Sequence, residues 1–104
     1  MSIIHVIAVI TTNPGKRADV LELFNANVPA VLAEEGCIAY EATTDTENAG
    51  PMQTQFGPDT FVVVEQWSNM EALHAHARSA HMKTYSENTD EMLANRAIHI
   101  LSPV

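Results

Sequence analysis

Two segments of this chain, Ile3 to Thr12 and Thr60 to Trp67, are almost continuously apolar and β-branched, and they constrain the fold more than any other feature. A strand with water on one face alternates apolar and polar residues, whereas an unbroken apolar run belongs to a strand covered on both faces. His5 interrupts the first run, and Phe61, Val62, Val63 and Val64 follow one another without a break. Both segments are therefore expected to be strands that water reaches from neither face.

Between them the period changes. Asn13-Pro14-Gly15 makes a turn. Val20, Leu21, Phe24, Val28, Val31 and Leu32 then recur at steps of three and four, the stripe of an amphipathic helix beginning near Lys16. Pro29 removes the bond to the carbonyl of Asn25 and predicts a kink, and Gly36 is placed to cap the helix end. Cys37 to Asp45 reads as a second strand, and Thr46 to Asp59, with Gly50-Pro51 and Gly57-Pro58, as a polar loop.

After the third strand, Ser68-Asn69-Met70-Glu71 has the form of a capping box, so a helix starts at Asn69 and carries Leu73 and Ala77 inward. Ser79 caps a further helical stretch bearing Met82, Tyr85 and Met92, and Arg96 to Leu101 returns to strand. The order is β-α-β-β-α-β with the last helix in two pieces. This is an α+β, ferredoxin-like arrangement: a four-stranded antiparallel sheet with helices on one face. Residues 1–104 are expected to form a single domain, since a second core would need roughly another 100 residues. The sheet's other face is expected to be covered by the same face of a second chain, giving a homodimer.

Composition removes several classes of function. Thirteen acidic residues against 5 basic ones give a net charge of −8, and no Lys or Arg cluster exists to engage a phosphate backbone, so nucleic-acid binding is excluded. No stretch approaches the roughly 18–20 apolar residues of a membrane span. No basic residue precedes the first apolar run, so it is read as a strand rather than a signal peptide, and a soluble cytoplasmic protein with no membrane partner is expected. Cys37 is the one cysteine, which rules out an intrachain disulfide and a thiolate cluster; with no basic neighbour in sequence, it is not a candidate nucleophile. A Gly-rich phosphate loop and a nucleophile elbow are both missing, so no flavin, nicotinamide or nucleotide site is expected.

On strand three, Phe61, Val63, Glu65 and Trp67 share one face. A carboxylate there is costly to bury unless paired. Glu65 either bonds a histidine or a ligand hydroxyl in a pocket, or makes a structural bond to backbone amides or an arginine across the dimer. His74 and His76 point about 200° apart on a helix, so they cannot share a metal, and a metal site would need the chain at Ser79 to fold back. No metal is expected. His76 and His81 flank the helix break, which lets both point toward the sheet; either serves as a general base or merely packs. His74 is expected to face solvent, and His5 to be a core, interface or ligand-contacting histidine. Tyr40, Phe61, Trp67 and Tyr85, with Met70, Met82 and Met92, could line a pocket for a flat ring or form plain core.

The segments EEGCIAYE at 34 to 41, FVVVEQWSNMEALHAH at 61 to 76, SAHMKTYSE at 79 to 87 and the terminal ILSP resemble the antibiotic biosynthesis monooxygenase family, and within it the bacterial quinol monooxygenases. The resemblance runs nearly end to end and includes the Pro14-Gly15 turn and the VPAVL segment around Pro29. It implies a dimeric α+β barrel built from two ferredoxin-like sheets. It also implies oxidation of a hydroxylated aromatic, a quinol, by molecular oxygen, with no metal, flavin or haem cofactor. A base removes a phenolic proton, the anion passes an electron to oxygen, and the resulting peroxide collapses to a quinone. On this resemblance His76 or His81 is the base, Trp67 holds or polarises the ring, and Tyr40 and Glu65 orient hydroxyls or the imidazole. Phe61, Met82, Tyr85 and His5 complete the expected substrate contacts.

Haem-degrading members of the family carry an asparagine on strand one and a tryptophan where His76 stands here, so haem degradation is not expected. The family's isomerases, which act on small phosphorylated carbonyl compounds, share the H-x-x-x-x-H-x-K segment, and only Lys83 lies near the histidines to meet an anion. Isomerase action and ligand binding without turnover stand as the alternatives.

Overall fold

The computed structural model describes residues 3–104. Its elements are β1 (Ile4–Thr12), α1 (Arg17–Leu32), β2 (Cys37–Thr43), β3 (Thr60–Trp67), α2 (Met70–Arg78), α3 (Ala80–Thr89), a 3-10 turn (Asp90–Met92) and β4 (Leu93–Leu101). The sheet runs β2-β3-β1-β4, and each neighbouring pair is antiparallel. This is the expected ferredoxin-like sheet, with β3 inserted between the parallel strands β1 and β2 that α1 connects.

Register decides which side chains meet the helices. Val6 sits opposite Glu65 and Ile100, Ala8 opposite Val63 and Ile98, and Ile10 opposite Phe61 and Arg96. Val6, Ala8, Ile10, Tyr40, Phe61, Val63 and Trp67 form a core with Val20, Phe24 and Val31 of α1 and Leu73 of α2. Phe24 is its hub, stacking on Tyr40 at 5.0 Å and meeting Phe61 at 5.9 Å and Tyr85 at 6.0 Å edge-on. Burial along β1 alternates strictly, so within one chain the expectation of strands covered on both faces is not met. Ile7, Val9, Val62 and Val64 face away from the helices and are only partly covered.

Several element ends differ from the sequence reading, each for a local reason. The helix runs through Pro29 but stops at Leu32, which is half-exposed, and Ala33 is its C-terminal cap. Gly36 therefore lies beyond the helix, as the third residue of a turn closed by the Cys37 amide on the Glu34 carbonyl. The second helix is capped by Asn69 rather than Ser68, the Asn69 side chain accepting from the Ala72 amide at 2.8 Å. Ser79 caps α3 as expected, accepting from the Met82 amide at 3.4 Å. Ala77 is exposed, and it is His76 that turns inward beside Leu73. Strand β4 begins at Leu93, three residues earlier than Arg96, and Met92 belongs to the 3-10 turn.

The loop between β2 and β3 is pinned where Asp45 accepts from the Phe56 and Gly57 amides, bonds that hold its carboxyl below the usual carboxylate range. Gly36 fixes the other turn. Its φ is +83°, and a Cβ there would lie 2.6 Å from Cβ of Ala72 and 2.7 Å from Oγ of Ser68. Gly36→Ala is expected to cost about 3 kcal/mol, combining left-handed backbone strain with overpacking. Urea unfolding measures it, and a loss under about 1 kcal/mol contradicts this packing.

Candidate active site

A cavity of about 450 Å³ opens between the sheet and helices α2 and α3, a volume suited to a small organic ligand. Val6, Ala8, Ile10 and Val63 form its floor, Leu73, Met82 and Tyr85 its roof, and Ile98 and Ile100 of β4 its open side. The helices stop short of β4, which leaves those two isoleucines about half-exposed, at 51% each. Polar groups enter the lining at Tyr40, Glu65 and His76, and at His74, Ser86, Thr89, Asp90 and Arg96.

His76 is 5% exposed, with its ring 4.6 Å from that of Trp67 and 5.4 Å from that of Tyr40. Its Nδ1 lies 2.9 Å from Oε2 of Glu34, and Nε2 of His81 lies 2.7 Å from the same oxygen. The carboxylate oxygen accepts, so His76 donates from Nδ1, and the neutral ring in this tautomer carries its lone pair on Nε2. That atom has no hydrogen-bond partner among the described residues, yet no buried side-chain polar atom among them lacks one, so Nε2 opens to the cavity that His76 lines. The Ser79 hydroxyl donates to the His76 carbonyl at 2.8 Å. At 3.2 Å from Nε2 of His81 it is therefore an acceptor, and His81 donates from Nε2.

The break at Ser79 creates this arrangement. Capping both starts α3 and turns the chain, so residues on two successive helices converge on Glu34 in the turn that follows α1. Glu34 escaped the sequence reading because it contacts residues 42 and 47 positions away, a separation no periodicity reports. The Gly36 turn beside it was the available signal.

Glu65 accepts from Nε1 of Trp67 at 2.9 Å. Burial pushes its carboxyl pKa up, against the opposing pull of that bond and of nearby His76. Burial, reinforced by the Glu65 charge, drives the Tyr40 phenol far above its ordinary value, and burial alone takes Tyr85 up to about 12. Both phenols thus remain donors at neutral pH. Cys37 is pushed up by burial and by the Glu34 and Glu65 charges, in keeping with its not being a nucleophile.

The expected site residues divide clearly by position. Tyr40, Glu65, His76, Met82 and Tyr85 line the cavity. Trp67 and Phe61 do not; both are 0% exposed and lie within the core, Trp67 behind His76 and Glu65. His81 borders a separate surface groove with Leu23, Asn27 and Tyr85, and reaches the site through Glu34. His5 pairs with Gln66 and Leu101 and projects from the opposite sheet face. His74 is exposed at the cavity rim, and Lys83 is exposed and outside the lining, where Arg96 is the one Lys or Arg among the described residues. Arg96 drew no attention in the sequence because β4 pairing, not periodicity, puts it on the cavity side.

The family pattern described as antibiotic biosynthesis monooxygenase matches residues 3–88, and the chain belongs to that family. It is 42% identical over 100 residues to the protein named probable quinol monooxygenase YgiN from Escherichia coli K12, covering 94% of this chain and 95% of that one. Among solved structures it resembles PA3566 from Pseudomonas aeruginosa (TM-score 0.82, 26% identity, 100% and 96% of the two chains). A conserved protein from Methanosarcina mazei Go1 is also similar (TM-score 0.81, 28% identity, 97% and 92%).

Proposed function

We propose that this protein is a quinol-type monooxygenase that uses molecular oxygen without metal, flavin or haem, and that His76 is its base. The observation that carries the reading is the cavity-facing Nε2 of His76, held as an acceptor by the Nδ1 bond to Glu34. A hydroxylated ring in the apolar cavity gives its phenolic proton to Nε2. The anion passes an electron to oxygen, the two radicals combine as a ring peroxide, and loss of water leaves the quinone. One oxygen atom stays on the ring and the other departs as water, so a quinol plus oxygen gives a hydroxyquinone plus water. The chain's part is to hold the ring, exclude water and take the proton, with the Tyr40 ring against that of His76 and its hydroxyl directed at the Met82 sulfur.

Metal-depleted protein in an oxygen electrode with menadiol or another dihydroxynaphthalene tests this. Uptake above autoxidation, unchanged by chelator or added flavin, is expected. No uptake across several quinols overturns the reading, and unaltered ligand recovered from a tight complex would favour simple binding. Lys83, the anion contact expected for the isomerase alternative, stands outside the cavity, where Arg96 is the cation an anionic ligand would meet.

The homodimer is part of the same proposal. Ile7, Val9, Val62 and Val64 form an apolar patch on the helix-free face of the sheet, the pattern of a face that packs on its own copy. Sedimentation at micromolar concentration should give a dimer, and a clean monomer would remove the barrel.

A further inference from the structure

We propose that Glu34, His76 and His81 also form a binding site for a divalent transition metal, zinc being the best suited, and that occupancy turns the cavity-facing nitrogen of His76 from acceptor into donor. The binding claim stands on the geometry of the three side chains; the consequence for turnover rests on the function proposed above.

Each residue offers one ligand atom, and Oε2 of Glu34, Nδ1 of His76 and Nε2 of His81 all lie within 4.8 Å of one another. They come from the turn after α1 and from two successive helices, so the backbone has already brought them together. Two imidazoles and one carboxylate are a donor set that suits zinc and leaves a fourth position open. Tetrahedral bonds of about 2.0–2.1 Å place ligand atoms roughly 3.3 Å apart. The contacts of 2.9 and 2.7 Å need to lengthen by only about half an ångström to admit the ion. The side chains of His76 and Glu34 are 6% and 13% exposed, and that of His81 is 30% exposed, so an ion arrives from the His81 side rather than through the substrate cavity. A net charge of −8 favours its approach.

The consequence follows from imidazole chemistry. A neutral ring carries one proton, and a metal on Nδ1 requires that nitrogen's lone pair. The proton therefore moves to Nε2, and the atom facing the substrate becomes an N–H. His81 makes the converse change, from Nε2–H to Nδ1–H, and neither ring gains or loses a proton. Because the ion sits behind His76 and not in the cavity, it should lower kcat and leave KM in place.

Zinc added to the metal-free protein, in competition with a chromophoric chelator, should bind once per chain with micromolar or tighter affinity. Glu34→Gln, which keeps the side chain's shape, and His81→Ala, at a partly exposed position, are expected to fold and should each weaken binding at least about tenfold. Nitrogen-15 spectra should show the His76 proton moving from Nδ1 to Nε2 on zinc addition. Binding no tighter than in the two variants, or an unchanged His76 tautomer, overturns the inference whether or not the protein consumes oxygen. With an active quinol, zinc should reduce kcat at constant KM; a rise in KM alone overturns the inhibition. Absence of oxygen uptake with zinc binding intact would sink the proposed activity and not the metal site.

Discussion

His76→Ala is expected to lower kcat on a dihydroxynaphthalene by at least about a hundredfold, the scale on which removing a general base acts. The cavity walls that hold a ring, Val6, Ala8, Val63, Leu73 and Met82, are untouched by the substitution, so KM should change little. His81→Ala should cost much less, under about tenfold, because His81 touches Glu34 and not the cavity. Removing His76 also leaves the mostly buried Glu34 with one partner fewer, at about 1–3 kcal/mol, so thermal unfolding must accompany the kinetics to show that the variant is folded. Equal rates for wild type and folded His76→Ala would rule His76 out as the base, and a dead His81→Ala beside it would move the role to His81.

The contrast between the two histidines shows what the sequence could and could not carry. The spacing of His76 and His81 around a capped break was enough to bring both back toward the body of the protein, and Ser79 does cap α3. Which of them reaches the cavity depends on rotation about α2. There the expected inward pair of Leu73 and Ala77 is instead Leu73 and His76, neighbours on one helix face between which spacing alone does not choose. Strand faces were legible: Phe61, Val63, Glu65 and Trp67 do share the side that meets the helices. Depth along that side was not. Alternation assigns a face but does not say that Glu65 opens into a cavity while Phe61 and Trp67 close off its back wall. Glu34 and Arg96 were beyond local reading altogether, since one is positioned by a glycine turn and the other by pairing with β1.

That difference in depth makes Trp67 the sharpest stability test. Its indole is 0% exposed, and its Nε1 is the donor that satisfies Glu65. Trp67→Phe should reduce stability by about 2–4 kcal/mol, part from the smaller ring and part from a buried carboxylate left without its bond. The loss should depend on pH in a definite direction. Burial already raises the pKa of Glu65 and the Trp67 bond opposes that rise, so the variant's carboxyl must rise further. A group raised on folding contributes stability at pH values below its unfolded pKa and loses that contribution as pH climbs through the folded value. The deficit of Trp67→Phe is therefore largest at about pH 7 and shrinks toward about pH 4, where a protonated Glu65 no longer depends on the indole. Glu65→Gln should behave oppositely. Its amide oxygen still accepts from Nε1 without carrying a buried charge, so the melting temperature rises at neutral pH and the gain fades on acidification. Turnover separates this structural role from the ring-holding one that the family resemblance implies. A Trp67→Phe protein with unchanged KM and a pH-dependent stability loss places the indole behind the site, whereas a raised KM at wild-type stability would put it in contact with the substrate.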